Sequence, residues 1–255
     1  MNITGIDIAV AASAAQWNCF AAAGVTWTVT RAWHSYGALD ANAVANLANA
    51  AAAGISNSDV YLFPCRGKDP REQVSDLLVG LSNSSFHRVW LDIEKNPSHG
   101  CQWTHYAPDE NCKFLRSMLS TLSQAGVPLG VYSSHHSWNG TVGGDCALLR
   151  EGEDEELPLW YPHYDRDAST CADFLTFGGW KQPYAKCAPR RSIHTVQCCL
   201  SSSFSLSLSL SLSSEIRLTT INNLAHPRHR QYTDRAGTAA IAKCGVKVDT
   251  STSCV

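Results

Sequence analysis

Short β-branched runs alternate with longer Ala- and Leu-rich stretches along most of this chain, and that alternation limits the fold more than any other feature. The runs 3–9, 27–33, 59–63, 88–93, 128–132, 158–161 and 246–249 have the length and residue types of strands. Between the early ones lie helix candidates at 13–23, 41–53, 70–81 and 109–125. Gly24, Gly54 and Gly126 each stand just past a helix end, where a left-handed residue is needed to stop the helix. Strand and helix in turn at this spacing predict βαβ units on a parallel sheet. Seven or eight such units predict an α/β fold of the (β/α) barrel type, TIM-barrel-like, in one domain spanning 1–255. In such a barrel the chemistry gathers at the C-terminal ends of the strands. Asp7, Asp92, Tyr132 and Asp249 are all expected there.

Composition narrows the function classes. A net charge of −2 gives no basis for a nucleic-acid or anionic-membrane partner. No apolar run is long enough to span a bilayer. Eleven cysteines without a C-x-x-C pair argue for disulfides and an oxidising compartment rather than a metal site. Asn-x-Ser/Thr tripeptides at Asn2, Asn83 and Asn139 agree with export. The opening Met1–Asp7 is already strand-like, so an export leader is expected upstream or removed. An extracellular or lysosomal location follows, with the chain acting as a monomer. His34, His135, His136 and His163 do not form a metal-ligand pattern, and no cofactor motif is present.

One stretch breaks the pattern. Residues 201–214 alternate Ser and Leu almost without exception. An amphipathic strand is one reading. A translated pyrimidine-rich tract is the sharper one, because a TC repeat encodes alternating Ser and Leu. The segment 187–230 is therefore read as a retained intron or a disordered insertion. It carries Arg190, Arg191, Arg217, Arg228 and Arg230 against the single acid Glu215. It also holds Cys187, Cys198 and Cys199, and its removal leaves an even number of cysteines. Without it, Ala185-Lys186 runs directly into Gln231-Tyr232-Thr233 as one strand.

The segment Val89-Trp90-Leu91-Asp92-Ile93-Glu94 is the most informative. Residues two apart on a strand share a face, so Asp92 and Glu94 point together while Leu91 and Ile93 pack behind. Two acids held close do not ionise together readily, and the one that keeps its proton can serve as a general acid. Glycoside cleavage uses such a pair. A solvated strand end is the bland alternative for any isolated Asp-x-Glu. Asp7 and Asp249 have a similar strand-end setting. Tyr61, Tyr132, Trp160 and Tyr164 gather near strand ends, where aromatic faces either stack on sugars or fill a core.

These pieces together resemble glycoside hydrolase family 25, the Chalaropsis-type lysozymes, in the branch found in nematodes and amoebae. The matching segments are Gly5-Ile6-Asp7-Ile8, Asp59-Val60-Tyr61-Leu62-Phe63-Pro64-Cys65, Trp90-Leu91-Asp92-Ile93-Glu94, Gly130-Val131-Tyr132-Ser133-Ser134 and Leu159-Trp160-Tyr161-Pro162-His163-Tyr164-Asp165. Phe177-Gly178-Gly179-Trp180, Gln231-Tyr232-Thr233 and Val248-Asp249 continue the series. The resemblance implies a (β/α) barrel irregular in its last units. It implies retaining hydrolysis of the β-1,4 bond between N-acetylmuramic acid and N-acetylglucosamine in bacterial peptidoglycan. It further implies Glu94 as general acid/base, Asp92 as partner of the substrate's N-acetyl group, and Asp7 and Asp249 as supporting acids. Tyr61, Tyr132, Trp160 and Tyr164 would then line the glycan. Two departures stand out: Thr250-Ser251 follows Asp249 where the family carries an Asn, and 187–230 splits a strand. The alternatives are an inactive product of that split and a sugar-binding or chitinase-like barrel.

Overall fold

A computed structural model of the 255-residue chain describes residues 4–149, 157–162, 174–189, 196–197, 244–245 and 249–252. Strand β1 (Thr4–Ile8) leads through α1 (Ala14–Ala22) to β2 (Trp27–His34). A tight hairpin then adds the short β3 (Ala38–Leu39), and α2 (Asn42–Ala52) leads to β4 (Asn57–Leu62). Next come α3 (Pro70–Gly80), β5 (Val89–Asp92), α4 (Pro108–Gln124), β6 (Leu129–Tyr132) and α5 (His135–Thr141). The described strands end with β7 (Leu159–Pro162), β8 (Ala185–Pro189), β9 (Val196–Gln197) and β10 (Asp249–Thr252).

Local chemistry sets these boundaries. Ser13 caps α1: its hydroxyl accepts from the Gln16 amide, while the Gln16 side chain reaches back to the Ser13 amide. Asp69 caps α3 ahead of Pro70, whose missing N–H costs nothing at a first turn. Gly24, Gly54 and Gly126 all have positive φ, at 88°, 86° and 68°, so three helices stop where the sequence expects.

The strands form one curled, mainly parallel sheet in the order β1-β10-β8-β7-β6-β5-β4-β2-β3. β1 also pairs with β2, so the path of pairings returns to its start. Neighbours from β1 through β2, β4, β5, β6, β7 and β8 run parallel. The last strand is an exception to the expected parallel pattern. β10 runs antiparallel to both β1 and β8. Its described span is 249–252 rather than 246–249, so Asp249 stands at its beginning and not at its end. The reversed direction compensates: Asp249 is paired with Asp7, at the same rim as the C-terminal ends of the parallel strands.

Side chains divide by the period of two. Leu91, Ile93, Val60, Leu62 and Val131 point outward onto Val74, Leu77, Leu115, Met118 and Leu122 of the helices. Ile6 and Ile8 do the same against Trp17 and Phe20. Inside the curl, Trp27, Val29, Trp90, Trp160 and Ala185 form a separate cluster, with Tyr61, Tyr132 and Tyr184 around it. Gly130 is what lets the Trp90 indole lie flat there, since a Cβ would meet its ring at 2.5 Å.

Three disulfides lie among the described residues: Cys19–Cys244, Cys65–Cys101 and Cys112–Cys146. Sequence proximity suggested none of these pairs; Cys101 and Cys112, near in sequence, bond elsewhere. Most of 187–230 lies outside the described residues. Its first residues continue β8, however, with Pro162 paired to Cys187, so that strand does not stop at Lys186. Backbone pairing needs only N–H and C=O groups, which Cys187 and Ala188 supply as well as another sequence would.

Candidate active site

Asp7, Asp92 and Glu94 come together at the C-terminal rim of the curl, on β1 and at the end of β5. Asp92 is buried, and its carboxyl is raised well above its ordinary value, chiefly by desolvation and then by the charges of Glu94 and Asp7. Glu94 is raised too, by desolvation. The two titrate as a pair that keeps a proton to higher pH than free carboxyls would. One oxygen of Asp92, Oδ1, is buried with no hydrogen-bond partner among the described residues. That oxygen is free to accept from a bound molecule or water.

The surroundings hold these acids in place. Trp103 donates its indole N–H to the Glu94 carbonyl at 3.0 Å. Ser133 donates to the Ile93 carbonyl at 2.7 Å. Asn96 is buried and gives its amide to both Ser35 and Pro64 carbonyls at 2.8 Å. The Cys65–Cys101 bridge ties the loop after β4 to the loop after β5. Glu94 therefore sits on a loop fixed from three sides, as a proton donor must be.

Beneath the acids lies an aromatic floor. Trp90, two residues before Asp92 and on the same face, donates to Asp59 Oδ2 at 2.9 Å, and Trp27 donates to the same oxygen at 3.1 Å. Burial raises the Asp59 carboxyl against these two hydrogen bonds. Tyr132 pairs with Asp92 across the β5–β6 ladder, and its ring meets Trp160 at 4.6 Å. Trp160 is buried among Tyr132, Trp90 and Trp27. The Tyr61 hydroxyl is raised well above its ordinary value by burial, then by Asp92 and Asp7, while Arg31 pulls the other way. Thus Asp7, Asp92, Glu94, Tyr61 and Tyr132 share one rim. Asp249 joins them by backbone register, and Tyr164 lies outside the described residues.

Sequence reasoning missed Asp59, Arg31 and Asn96 as parts of this site. Asp59 gave no signal, because its indole donors come from other strands. Arg31 donates from Nε to Asp40 at 2.8 Å, a spacing with no local signature. No group of His, Cys, Asp or Glu among the described residues is arranged to hold a metal ion.

The buried state of Asp92 has a measurable consequence. Below the ordinary carboxyl value near 3.8, Asp92 is neutral in both folded and unfolded chains. As pH rises through its raised folded value, the folded chain alone must bury the charge, and stability falls. Asp92→Asn is therefore expected to be more stable than the parent at neutral pH by on the order of 1–3 kcal/mol. The advantage should vanish toward pH 3, as read from denaturant midpoints. Equal stability at both pH values would contradict the buried-charge account.

A curled, mainly parallel sheet with two raised carboxyls at its C-terminal rim fits the class of glycoside hydrolases, which cut with such a pair. Comparison with known proteins narrows it. The family model described as lysozyme-like protein 1 matches residues 2–187. A probable GH family 25 lysozyme of Dictyostelium discoideum is 36% identical over 188 residues, covering 72% of this chain and 82% of that protein. Lysozyme-like protein 5 of Caenorhabditis elegans is 30% identical, covering 70% and 80%. Among solved structures, a family GH25 lysozyme from Aspergillus fumigatus superposes with a TM-score of 0.59 at 18% identity, over 74% of this chain and 88% of that one. The modular autolysin LytC of Streptococcus pneumoniae, solved with a synthetic peptidoglycan ligand, superposes at 0.53 with 18% identity, over 76% and 44%. The structural likenesses speak for the fold alone. The chain belongs to the family 25 glycoside hydrolase lysozymes, and it is an enzyme of that lysozyme type.

Proposed function

We propose that the chain is an N-acetylmuramidase that cuts the β-1,4 bond between N-acetylmuramic acid and N-acetylglucosamine in bacterial peptidoglycan, with retention. The observation that carries this reading is the neighbouring Asp92 and Glu94 carboxyls, both raised by burial at the rim, with Asp92 Oδ1 lacking a hydrogen-bond partner among the described residues. Glu94 gives its proton to the glycosidic oxygen as the bond to C1 breaks. The carbonyl oxygen of the substrate's own N-acetyl group closes on C1 from the opposite face, forming a positively charged oxazolinium ring. Asp92 orients the acetamide and balances that charge. Glu94, now a carboxylate, takes a proton from water as the water opens the ring at C1. Two inversions leave the original configuration, a substrate-assisted variant of retaining hydrolysis. Asp7 and Asp249 are supporting acids, and Tyr61, Tyr132, Trp160 and Tyr164 shape the glycan path. The circuit of strand pairings supports reading the sheet as a (β/α) barrel irregular in its last units. The three disulfides among the described residues support an extracellular or lysosomal protein; a monomer is the proposed state. The test is the first product formed from a defined peptidoglycan oligosaccharide, followed by proton NMR. The β-anomer of a muramic acid reducing end is expected before mutarotation. An initial α-anomer would exclude retention, and a glucosamine reducing end would exclude the bond assignment.

A second reading is favoured by the Ser/Leu run at 201–214 and by the family match ending at residue 187. In it the long chain is a poorly active product of a retained intron. A variant lacking 187–230, with Lys186 joined to Gln231, is then expected to clear bacterial walls while the long chain does not. Full clearing by the long chain would remove this reading.

A further inference from the structure

The β2–β3 hairpin has a feature that the acid chemistry does not use. Tyr36 stands at its tip and is 53% exposed, the most exposed aromatic ring among the large hydrophobic side chains described. Its ring is not loose. The His34 imidazole stacks against one face at 4.7 Å between centroids and 13° between planes. His34 in turn faces Asp40 at 3.5 Å, and Asp40 holds Arg31 at 2.8 Å. Burial and Arg31 lower the His34 pKa against the pull of Asp40, so the ring is a neutral, flat backing at pH 7.

The turn itself is bolted to the loop that carries Glu94. Asn96 donates to the Ser35 carbonyl at 2.8 Å, and the Ser35 and Ser98 hydroxyls meet at 2.8 Å. Lys68 donates to the Gly37 carbonyl at 2.6 Å from the loop after β4. Gly37 has φ of 79°, and a Cβ there would meet Lys68 at 2.6 Å, so this tight turn admits glycine alone without rearrangement. An exposed aromatic ring on a free loop is ordinary. One whose hidden face is stacked and whose backbone is tied to two neighbouring loops has lost its freedom in advance, as a binding platform requires. It also stands on the rim where the acids lie.

We infer that the solvent face of Tyr36 is a glycan-binding platform, stacking on a pyranose ring of the same strand at a distance from the bond that is cut. The inference rests on the muramidase reading for its ligand. A sugar ring offers a face of C–H bonds that packs on an aromatic face, and neither charge nor metal is needed. Such a platform adds affinity for long strands and leaves the chemical step alone.

The test separates the platform from the catalytic reading. Binding is measured by tryptophan fluorescence on the Glu94→Gln protein, with and without Tyr36→Ala, using peptidoglycan strands of two and of eight or more disaccharides. Cleavage of the same strands is measured separately with Glu94 intact. Tyr36→Ala is expected to weaken long-strand binding about fivefold to tenfold, to raise KM by the same factor and to leave kcat unchanged. Short strands should bind equally in both proteins, and Tyr36→Phe should restore the long-strand affinity. Equal weakening for short and long strands, or no weakening for either, would overturn the platform. Long-strand binding that depends on Tyr36 in a protein that cleaves nothing would keep the platform and sink the muramidase. Failure of the parent to bind any strand would overturn both.

Discussion

Glu94→Gln is expected to slow wall lysis about 10³-fold, with the fold intact. Gln keeps the shape of Glu and the Trp103 contact to the Glu94 carbonyl, which is backbone and unaffected. What it removes is the proton given to the leaving oxygen. It also removes one of the two charges that raise Asp92, so the carboxyl that remains should titrate lower than in the parent. The parent's own activity should decline on the alkaline side at a pH above the ordinary glutamate value near 4.5, because burial raises Glu94. A turbidity assay across pH, with circular dichroism to confirm folding, reads both effects. Lysis by Glu94→Gln at the parent rate would leave the proton donor unassigned.

The largest stability effect is expected from the Cys19–Cys244 bridge. It joins α1 to the far end of the chain across 225 residues of sequence. Closing a loop of that length limits the unfolded chain by about 5 kcal/mol in the chain-entropy account. Its two cysteines also pack among Ile6, Ile8, Trp17 and Phe20, where the pair fills space. Replacing both by Ser should therefore lower the denaturant midpoint far more than a typical surface change. The same replacement at Cys112 and Cys146, separated by 34 residues, should cost less, about 4 kcal/mol. A smaller loss at Cys19–Cys244 than at Cys112–Cys146 would show that native strain offsets the entropy.

What could be read from the residues follows the range of the forces involved. Helix ends were legible at Gly24, Gly54 and Gly126 because a left-handed stop acts within one turn; the Ser13 and Asp69 caps act over the same range and went unread. The inward pair Asp92 and Glu94 was legible because strand alternation is local. The direction of β10 was not, since nothing within 249–252 distinguishes a parallel from an antiparallel partner. The α5 helix was missed because seven residues starting His-His-Ser give little periodicity; its Ser134 cap, donated to by the Ser137 amide, was the available signal. The Asp59 floor and the Asn96 clamp were hidden for one reason. Their partners lie some thirty or sixty residues away, and only folding brings them near.

The reversed last strand has one further consequence. Because β10 runs against β1, Thr252 is paired directly with Thr4. The first and last described strands are thus direct neighbours, and a linker of a few residues would span Thr252 and Thr4. The order in which the strands are connected is then separable from the ring they form. A chain begun at the exposed turn around Asn83 and joined across Thr252 and Thr4 would carry the same neighbours in the same registers. In that sense the ring of strand pairings is indifferent to the order of connection, and the break between first and last strands could be closed where Thr4 and Thr252 are paired.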